Sequence, residues 1–190
     1  RAISRLQAIR LSLVAAADKA AVARASGMSG TGAWLSQATR TTGAAAAGQV
    51  ALAGALESLP ATGAALREGV VSPEHAAVIA AATRQLPTSL GTEDRAVVEE
   101  GLVEQAKRLD PVALRKKARR ALELVASREE ADRHHDQVLR EEEARARAKT
   151  RLTLHDNHDG TVTGHFTVPT LAGAILKKIL GQLASPRRGR

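Results

Sequence analysis

The residues with the clearest capacity for chemistry are histidines and aspartates that cluster near the C-terminal end of the sequence. They are His155, Asp156, His158, Asp159 and His165. Imidazole nitrogens and carboxylate oxygens are common zinc ligands, and an imidazole can also act as a general base. By residue type alone, the cluster would fit metal-dependent hydrolysis. The sequence contains no cysteine, which excludes thiolate metal sites and disulfides.

Alternating polar and apolar residues flank this cluster and predict a β-hairpin. Arg151–His155 would form the first strand and Thr161–Phe166 the second, joined by a five-residue loop, Asp156–Gly160, that ends in glycine. One face of the hairpin would be polar and carry the two strand histidines. The other face would carry the apolar residues Leu152, Leu154, Val162 and Phe166.

The predicted register separates the two strand histidines too far for one metal ion. His155 and His165 would lie four strand residues apart, which is about 13 Å. A zinc ion binds each ligand at about 2 Å, so it could not reach both. A pair formed by His155 with His158 or Asp159 stays open as an alternative. The sequence favours a polar strand face, and we expect no metal, no cofactor and no catalytic residue in this chain.

A second candidate group is a run of bases in a predicted helix, Pro111–Ala126. Asp110 and Pro111 form a strong helix start, with a capping carboxylate and a proline at the first helical position. The bases occupy five of six positions: Arg115, Lys116, Lys117, Arg119 and Arg120. At about 100° per residue, a single apolar stripe runs along the same helix. The stripe consists of Leu114, Ala118, Ala121, Leu122 and Val125, and we expect it to face the core.

These bases, together with Arg40, are the candidate nucleic-acid contacts. The chain has a formal net charge of +8 and a pI of about 10.7, which suits binding to a polyanion such as DNA. Adjacent like charges also repel one another unless an anion lies nearby. Two other interpretations stay open: a solvated basic face, and pairing within the chain to the acids of Ser127–Lys149.

The element expected to organise the chain is a helical hairpin in its N-terminal third. Its first limb is Gly32–Thr39, which carries the only tryptophan, Trp34. Thr41 or Thr42 can cap the second limb, Gly43–Glu57, which consists mostly of alanine and glycine. Such a pair matches either a helix-turn-helix or a plain helical hairpin, and geometry alone does not choose between them.

The remaining periodicities predict further helices. They cover Arg1–Ser26, Ala61–Glu68, Ser72–Gln85, Glu93–Leu109, the charged segment Ser127–Lys149 and a final helix from Pro169 or Thr170. In the predicted helix Arg1–Ser26 the apolar face contains Ile3, Leu6, Ile9 and Leu13. In Glu93–Leu109 it contains Val97, Val98, Leu102, Val103 and Ala106. In the final helix it contains Leu171, Ile175, Ile179 and Leu183. His75, in a first helical turn, is interpreted as a packing or surface residue.

These elements predict a mainly α fold. It would be a multi-helix bundle with a helix-turn-helix-like hairpin, plus a small C-terminal β-hairpin followed by a helix. We divide the chain into a helical domain (1–126), a charged helical linker or arm (127–149), a β-hairpin plus helix (150–184) and a basic tail (185–190). With one Trp, one Phe and no Tyr, the core must be aliphatic, and helices rich in alanine pack at short interaxial distance.

Several functional classes lack their motifs in this sequence. The glycine-rich segment Gly27–Gly32 follows a helix and lacks the P-loop lysine, and no HExxH or dinucleotide-binding pattern occurs. The longest weakly polar run, Gly43–Leu56, is too short to cross a bilayer. No signal peptide is visible and the first residue is Arg1, so we expect a fragment of a longer cytoplasmic protein.

Five segments resemble one known family, over about Leu6–Leu183. They are AWLSQATRTT, VALAGALESLPATGAAL, LREGVVSPEHAAVIA, KRLDPVALRKKARRALEL and RLTLHDNHDGTVTGHFTVPTLAGAILKKIL. They resemble the N-terminal domain of unknown function of the actinobacterial HNH-endonuclease-like proteins, the thirteen-E-twelve repeat family. The resemblance implies a non-catalytic domain that holds DNA while an HNH module, which usually follows it in the family, cuts.

Two features shape what the resemblance implies. An HNH site needs a ββα-metal arrangement, and the helix after Thr170 offers no His, Asp or Glu. Family members tend to place several arginines in the helix that corresponds to Gly43–Glu57, where this chain has no base, so we expect binding that is not sequence-specific. The alternatives are a helical scaffold for self-association or partner binding, and a transcription-regulator-like helix-turn-helix domain that uses Ser72–Gln85.

Overall fold

The computed structural model describes residues 1–184, with side chains up to Gln182. The chain divides into two compact units, Arg1–Asp132 and Arg133–Arg190. The described residues form ten α-helices, one 3-10 turn and one two-stranded antiparallel sheet. The predicted fold class, mainly α with a β-hairpin followed by a helix, is confirmed. The orientation predicted for Leu183 and the basic tail predicted at 185–190 lie outside the described residues.

The helices of the first unit follow one another with short connections. They are α1 (Ala2–Lys19), α2 (Val22–Ala25), α3 (Thr31–Thr39), α4 (Gly43–Glu57), α5 (Pro60–Glu68), α6 (Pro73–Arg84), α7 (Thr92–Ala106), α8 (Pro111–Ala118) and the 3-10 turn Ala121–Leu124. Helix α9 (Arg128–Ala148) begins in the first unit and continues into the second. The second unit also holds β1 (Arg151–Asp156), β2 (Val162–Thr167) and α10 (Thr170–Ala184). None of the described helices is both long and apolar enough to span a bilayer.

The helical hairpin predicted in the N-terminal third consists of α3 and α4. Helix α4 has the predicted bounds, and Thr42 caps it by accepting a 3.3 Å hydrogen bond from the Ala45 backbone N–H. The small side chains of α4 pack against α1, α3, α5 and α6. A Cβ atom placed on Gly32 would lie 3.6 Å from the Ala47 Cα, so the two backbones of the hairpin approach closely. Helix α4 therefore joins four neighbouring helices of the first unit at close distance.

Helix α1 buries the face opposite to the predicted one. Ala8, Leu11 and Val14 face the core, against α4 and α5. The residues predicted to form the inward face are exposed: Ile3, Leu6, Ile9 and Leu13. Both faces of this helix are apolar, and the face with the smaller side chains allows the closer approach to the small residues of α4.

The first predicted helix, Arg1–Ser26, is interrupted. Helix α1 ends at Lys19, and the short helix α2 follows. Between them Ala21 has a φ of 52°, in the left-handed region that cannot continue a right-handed helix.

Helix α7 differs from the prediction on one face. Val97 is 51% exposed, whereas Glu99 is only 3% exposed. The carboxylate of Glu99 accepts a 2.6 Å hydrogen bond from the backbone N–H of Thr62, in the first turn of α5. Because α5 has no capping side chain of its own, Glu99 pairs one of its free N–H groups and places a carboxylate at its positive end. Glu99 therefore joins α7 to α5.

We expect Glu99→Leu to lower the free energy of unfolding by about 2 kcal/mol more than Glu99→Gln does. The amide oxygen of glutamine can still accept the hydrogen bond from Thr62, whereas leucine leaves that buried N–H group unpaired. Urea unfolding of both variants, followed by circular dichroism, measures the difference. Equal destabilisation by the two substitutions would contradict the role of Glu99 as the cap of α5.

Candidate nucleic-acid interface

Helix α8 carries three of the five bases of the predicted cluster and lies on the surface of the first unit. It packs against α6 and α7. The residues of the predicted apolar stripe are buried or half-buried: Leu114, Ala118, Ala121, Leu122 and Val125. Burial of this stripe fixes the rotation of α8 and turns its bases towards solvent.

His75 holds the connection that leads into α8. Its Nδ1 accepts a hydrogen bond from the Ser72 backbone N–H, at 3.3 Å, which completes a capping box at the start of α6. Its Nε2 lies 2.8 Å from the carbonyl oxygen of Leu109, so this nitrogen carries the proton and donates it. The half-buried ring therefore ties α6 to the residue just before Asp110. These contacts support the interpretation of His75 as a packing residue.

The helix that carries the bases is shorter than predicted. It ends at Ala118 instead of Ala126, and a 3-10 turn follows. The turn packs against α7, where a Cβ on Gly101 would lie 2.8 Å from a methyl carbon of Leu124. Leu124 thus occupies the space that glycine leaves on α7, and the chain must bend to bring it there. As a result, Arg119 and Arg120 lie beyond the end of α8.

Arg120 is bonded to two carboxylates. Its guanidinium forms ion pairs with Glu123 and, at 2.6 Å, with Asp132 of α9. The hydrogen bonds to Glu123 and then to Asp132 raise the pKa of Arg120 above its usual value. Arg119 also has an interaction partner within the chain. Pairing with the acids of the following segment, one of the interpretations left open by the sequence, therefore applies to Arg120.

Three bases inside α8 remain directed at solvent. Arg115, Lys116 and Lys117 are exposed. In the part of the chain that the structure describes, none of the three forms an ion pair. We refer to Arg115, Lys116 and Lys117 as the α8 cations. Their mutual repulsion would be relieved by an external anion.

Arg40 belongs to a different part of the first unit. It follows the last residue of α3, is exposed, and has a left-handed φ of 52°. Helix α3 packs against α1, α2 and α4, whereas α8 packs against α6 and α7. The structure therefore does not bring Arg40 into the cluster formed by the α8 cations.

Two further bases precede α8 and were not among the predicted contacts. Lys107 and Arg108 follow the end of α7, and both pair with the exposed carboxylate of Glu104, at 2.7 and 3.6 Å. The hydrogen bond from Lys107 is the main reason that the pKa of Glu104 is lowered. Residues 107–120 contain seven bases and one acid, so a count of charge along the sequence would have found this extension.

The histidines of the hairpin are closer together than predicted. Strand β1 pairs with β2 in a register that places His155 opposite Thr163 and His165 opposite Thr153. The predicted register is wrong because β1 continues to Asp156 and the loop comprises residues 157–161. The two histidines are thus two residues apart along the strand pair. Even so, no three His, Asp or Glu side chains gather at metal-binding distance among the described residues.

The aspartates of the hairpin shape its loop. Asp156 accepts a 2.8 Å hydrogen bond from the backbone N–H of His158, and Asp159 accepts one of 2.9 Å from that of Thr161. The hydrogen bonds from the Thr161 hydroxyl and then from its N–H lower the pKa of Asp159. Both carboxylates therefore stabilise a turn in which His158 has a φ of 57°.

A family model described as a domain of unknown function, DUF222, matches residues 1–189. The chain belongs to the DUF222 family. The predicted membership of a family of domains of unknown function is therefore confirmed. The comparisons with curated proteins and with solved structures found no match. Because the family match extends over both units, the hairpin and α10 belong to the DUF222 domain as much as the helical bundle does.

The capping of α8 by Asp110 in this DUF222 domain leads to a prediction about how stability depends on pH. The carboxylate of Asp110 accepts hydrogen bonds from the N–H groups of Val112, at 2.8 Å, and Ala113, at 3.0 Å. The bond from Ala113 and then that from Val112 lower the pKa of Asp110. A lowered pKa means that the ionised carboxylate stabilises the folded state above the ordinary Asp pKa of about 3.9. This stabilisation is lost as the pH falls through the lowered value.

We therefore expect Asp110→Ala to reduce the thermal midpoint by a constant amount between pH 7 and pH 5, and by a shrinking amount below about pH 4. Thermal unfolding followed by circular dichroism across this range measures the difference from the unmodified chain. Asp110→Asn is the matched control because its amide oxygen keeps an acceptor without a titrating group. A deficit of Asp110→Ala that does not change with pH would contradict this account of the cap.

Proposed function

We propose that this DUF222 domain is the non-catalytic, DNA-holding part of an HNH-endonuclease-like protein that acts in the cytoplasm. The observation that carries the proposal is the group of α8 cations, which are adjacent, exposed and without ion pairs among the described residues. They project from a helix whose opposite face is buried, so their positions are fixed by the core. Such a group suits contact with the phosphates of a DNA backbone.

The expected binding is independent of DNA sequence. Helix α4, the second helix of the predicted helix-turn-helix-like hairpin, has no base and packs against four other helices. It offers no arginine for bidentate contact with guanine in the major groove. Affinity should therefore come from phosphate contacts and depend strongly on salt.

Lys107 and Arg108 extend the proposed contact surface towards α7. Their pairs with Glu104 are exposed, and exposed ion pairs contribute little to stability, so phosphates can replace Glu104 as the partner. Arg120 supports the proposal least, because its guanidinium is already bonded to Glu123 and Asp132. Arg40 would form a separate contact.

The transcription-regulator alternative gains no support from α6. This helix contributes five buried residues to the first unit: Ala76, Val78, Ile79, Ala82 and Thr83. Its N-terminus is occupied by the capping box of Ser72 and His75, and its first turn contains an acid, Glu74. A recognition helix needs exposed residues that can reach base edges near its N-terminus. The proposal also leaves cleavage to a separate HNH module of the parent protein.

The proposal predicts how salt affects binding to duplex DNA. Replacing all three α8 cations by glutamine should reduce the slope of log affinity against log salt by up to about 0.9 for each phosphate that the variant can no longer neutralise. Fluorescence anisotropy with a labelled duplex, titrated at several salt concentrations, measures the slope. The binding constant should also be nearly the same for unrelated duplex sequences.

The matched control is the triple variant Arg145→Gln, Arg147→Gln and Lys149→Gln. It removes the same formal charge from exposed positions. Arg145 and Arg147 lie in the last turn of α9, and Lys149 follows that helix directly. We expect the control to keep the slope of the unmodified chain. A flat salt response, no binding at low ionic strength, or equal effects of the two triple variants would each reject the α8 cations as the contact site.

A further inference from the structure

The second unit has apolar faces that no other described part of this unit covers. From Arg133 to Gln182 no residue is buried. Eight large apolar side chains of the hairpin and the last helix are each at least 47% exposed: Leu152, Leu154, Val162, Phe166, Leu171, Ile175, Ile179 and Leu180. The predicted inward orientation of Leu171, Ile175 and Ile179 is therefore wrong within the second unit. A domain of about 60 residues ordinarily buries about 60% of the surface of its unfolded chain.

The hairpin has the residue pattern of a sheet with one buried face. Its apolar face consists of Leu152, Leu154, Val162 and Phe166, and its other face carries threonines and histidines. Leu152 lies opposite Phe166, and a methyl carbon of Leu154 lies 3.1 Å from where a Cβ of Gly164 would be. Alternation of this kind is typical of antiparallel sheets that are covered on one side.

Helix α10 has a matching apolar side. At about 100° per residue its large apolar residues occupy one half of the circumference. Lys177 and Lys178 lie on the other half. A helix with this distribution normally packs its apolar side against a sheet or another helix.

The two edges of the hairpin differ in their protection. A hairpin of two strands is marginally stable alone, and exposed strand edges usually carry charged residues or proline that prevent further pairing. Strand β1 has Arg151 at one end and Asp156 at the other. Strand β2, with the sequence VTGHFT, has no charged residue and no proline. The edge of β2 is therefore the one open to another strand.

The hydrogen-bond pattern identifies the free backbone groups on that edge. The N–H of Asn157 donates to the carbonyl oxygen of Thr161 at 3.0 Å. Because bonded and non-bonded pairs alternate along an antiparallel ladder, Thr163 and His165 direct their backbone groups to β1. The outward groups belong to Val162, Gly164 and Phe166.

We propose that the domain forms a homodimer in which β2 pairs antiparallel with β2 of a second copy. If the outward N–H and C=O groups of Val162, Gly164 and Phe166 all form hydrogen bonds between the two copies, Gly164 lies opposite Gly164 of the other copy. Val162 then lies opposite Phe166 of the other copy. The two-fold axis is then perpendicular to the sheet, so the apolar faces of both hairpins lie on the same side. A β-branched residue opposite an aromatic one is a favourable cross-strand pair.

The dimensions fit this arrangement. Four strands span roughly 14 Å between the outermost pair, and α10 with its 15 residues is about 22 Å long. The apolar sides of two α10 helices can therefore cover the face of the four-stranded sheet. The eight exposed side chains present on the order of 800 Å² in each chain, the area that one partner contributes to a standard interface. The interface is isologous and closes after two copies.

Sedimentation equilibrium of the 190-residue chain tests the proposal. We expect a concentration-dependent dimer with twice the chain mass of 19.9 kDa. Phe166→Lys should raise the dissociation constant about tenfold or more, because the side chain can no longer be buried. Gly164→Pro should act similarly, because it removes a central outward N–H group and leaves the bonds to β1 intact. Thr153→Lys, on the polar face of β1, adds the same charge away from the β2 edge and is the matched control, which should leave the dissociation constant unchanged.

Cysteine cross-linking tests the register, since the chain has no natural cysteine. We expect Gly164→Cys to form a disulfide-linked dimer under mild oxidation, because the two positions meet at the two-fold axis. Ile3→Cys, on the exposed face of α1, should stay unlinked. A monomer at all concentrations would show that something other than a second copy covers these faces and would overturn the proposal. Faster linking of Ile3→Cys than of Gly164→Cys would also overturn it, by placing the interface on α1.

Discussion

The first unit is held together by close packing of alanine against leucine, valine and isoleucine side chains. Trp34 is the one aromatic residue of this unit, so bulky groups that could fill wide gaps between helices are scarce. Dispersion attraction falls steeply with distance, so an alanine-rich helix contributes only if its neighbours come near. Helix α4 meets this requirement, because it packs against four helices and its residues Ala46 and Ala53 are buried. The same requirement explains why α1 turns Leu11 and Val14 inward and leaves Ile3 and Leu6 exposed.

Small side chains determine how closely helices pack, but they determine less well which helices are neighbours and how each is rotated about its axis. Polar contacts between particular residues supply this specificity. Glu99 joins α7 to the start of α5, and His75 joins α6 to the carbonyl oxygen that precedes α8. The hydroxyl of Thr31 donates to Asp18, which links the start of α3 to α1. Each contact also pairs a backbone group or carboxylate that would otherwise lack a partner. Through the contact of His75, the position of α8 and of its exposed bases depends on the core.

Helix type and most helix starts were predictable because capping residues and proline are local signals. The choice of buried face was harder, and α7 shows why. Relative to Val98, Leu102 and Ala106 lie within about 80° on a helix, and Glu99 lies at about 100°, on the same side. Val97 lies about 100° away in the opposite direction. Position on the helix therefore indicated the burial of Glu99, whereas residue type alone favoured Val97.

Boundaries that depend on distant residues were not predictable in this way. The end of α8 depends on the contact of Leu124 with Gly101, which lies on another helix. The hairpin register failed for a different reason: the pairing of Asp156 with Val162 accompanies local hydrogen bonds inside the loop, which the alternation of polar and apolar residues does not indicate. The candidate bases were found from charge alone. Which of them face solvent depends on where α8 ends, and therefore on the contact of Leu124 with Gly101.

DNA binding and dimer formation, as proposed, are linked through charge. Each chain carries a formal charge of +8, so the approach of two chains costs electrostatic free energy that grows as salt is removed. Phosphates that neutralise the α8 cations reduce this cost, so DNA favours the dimer. By reciprocity, the dimer binds DNA more tightly than the monomer by the same factor. Under the two proposals, an apolar surface raises the affinity of the domain for DNA without adding a phosphate contact.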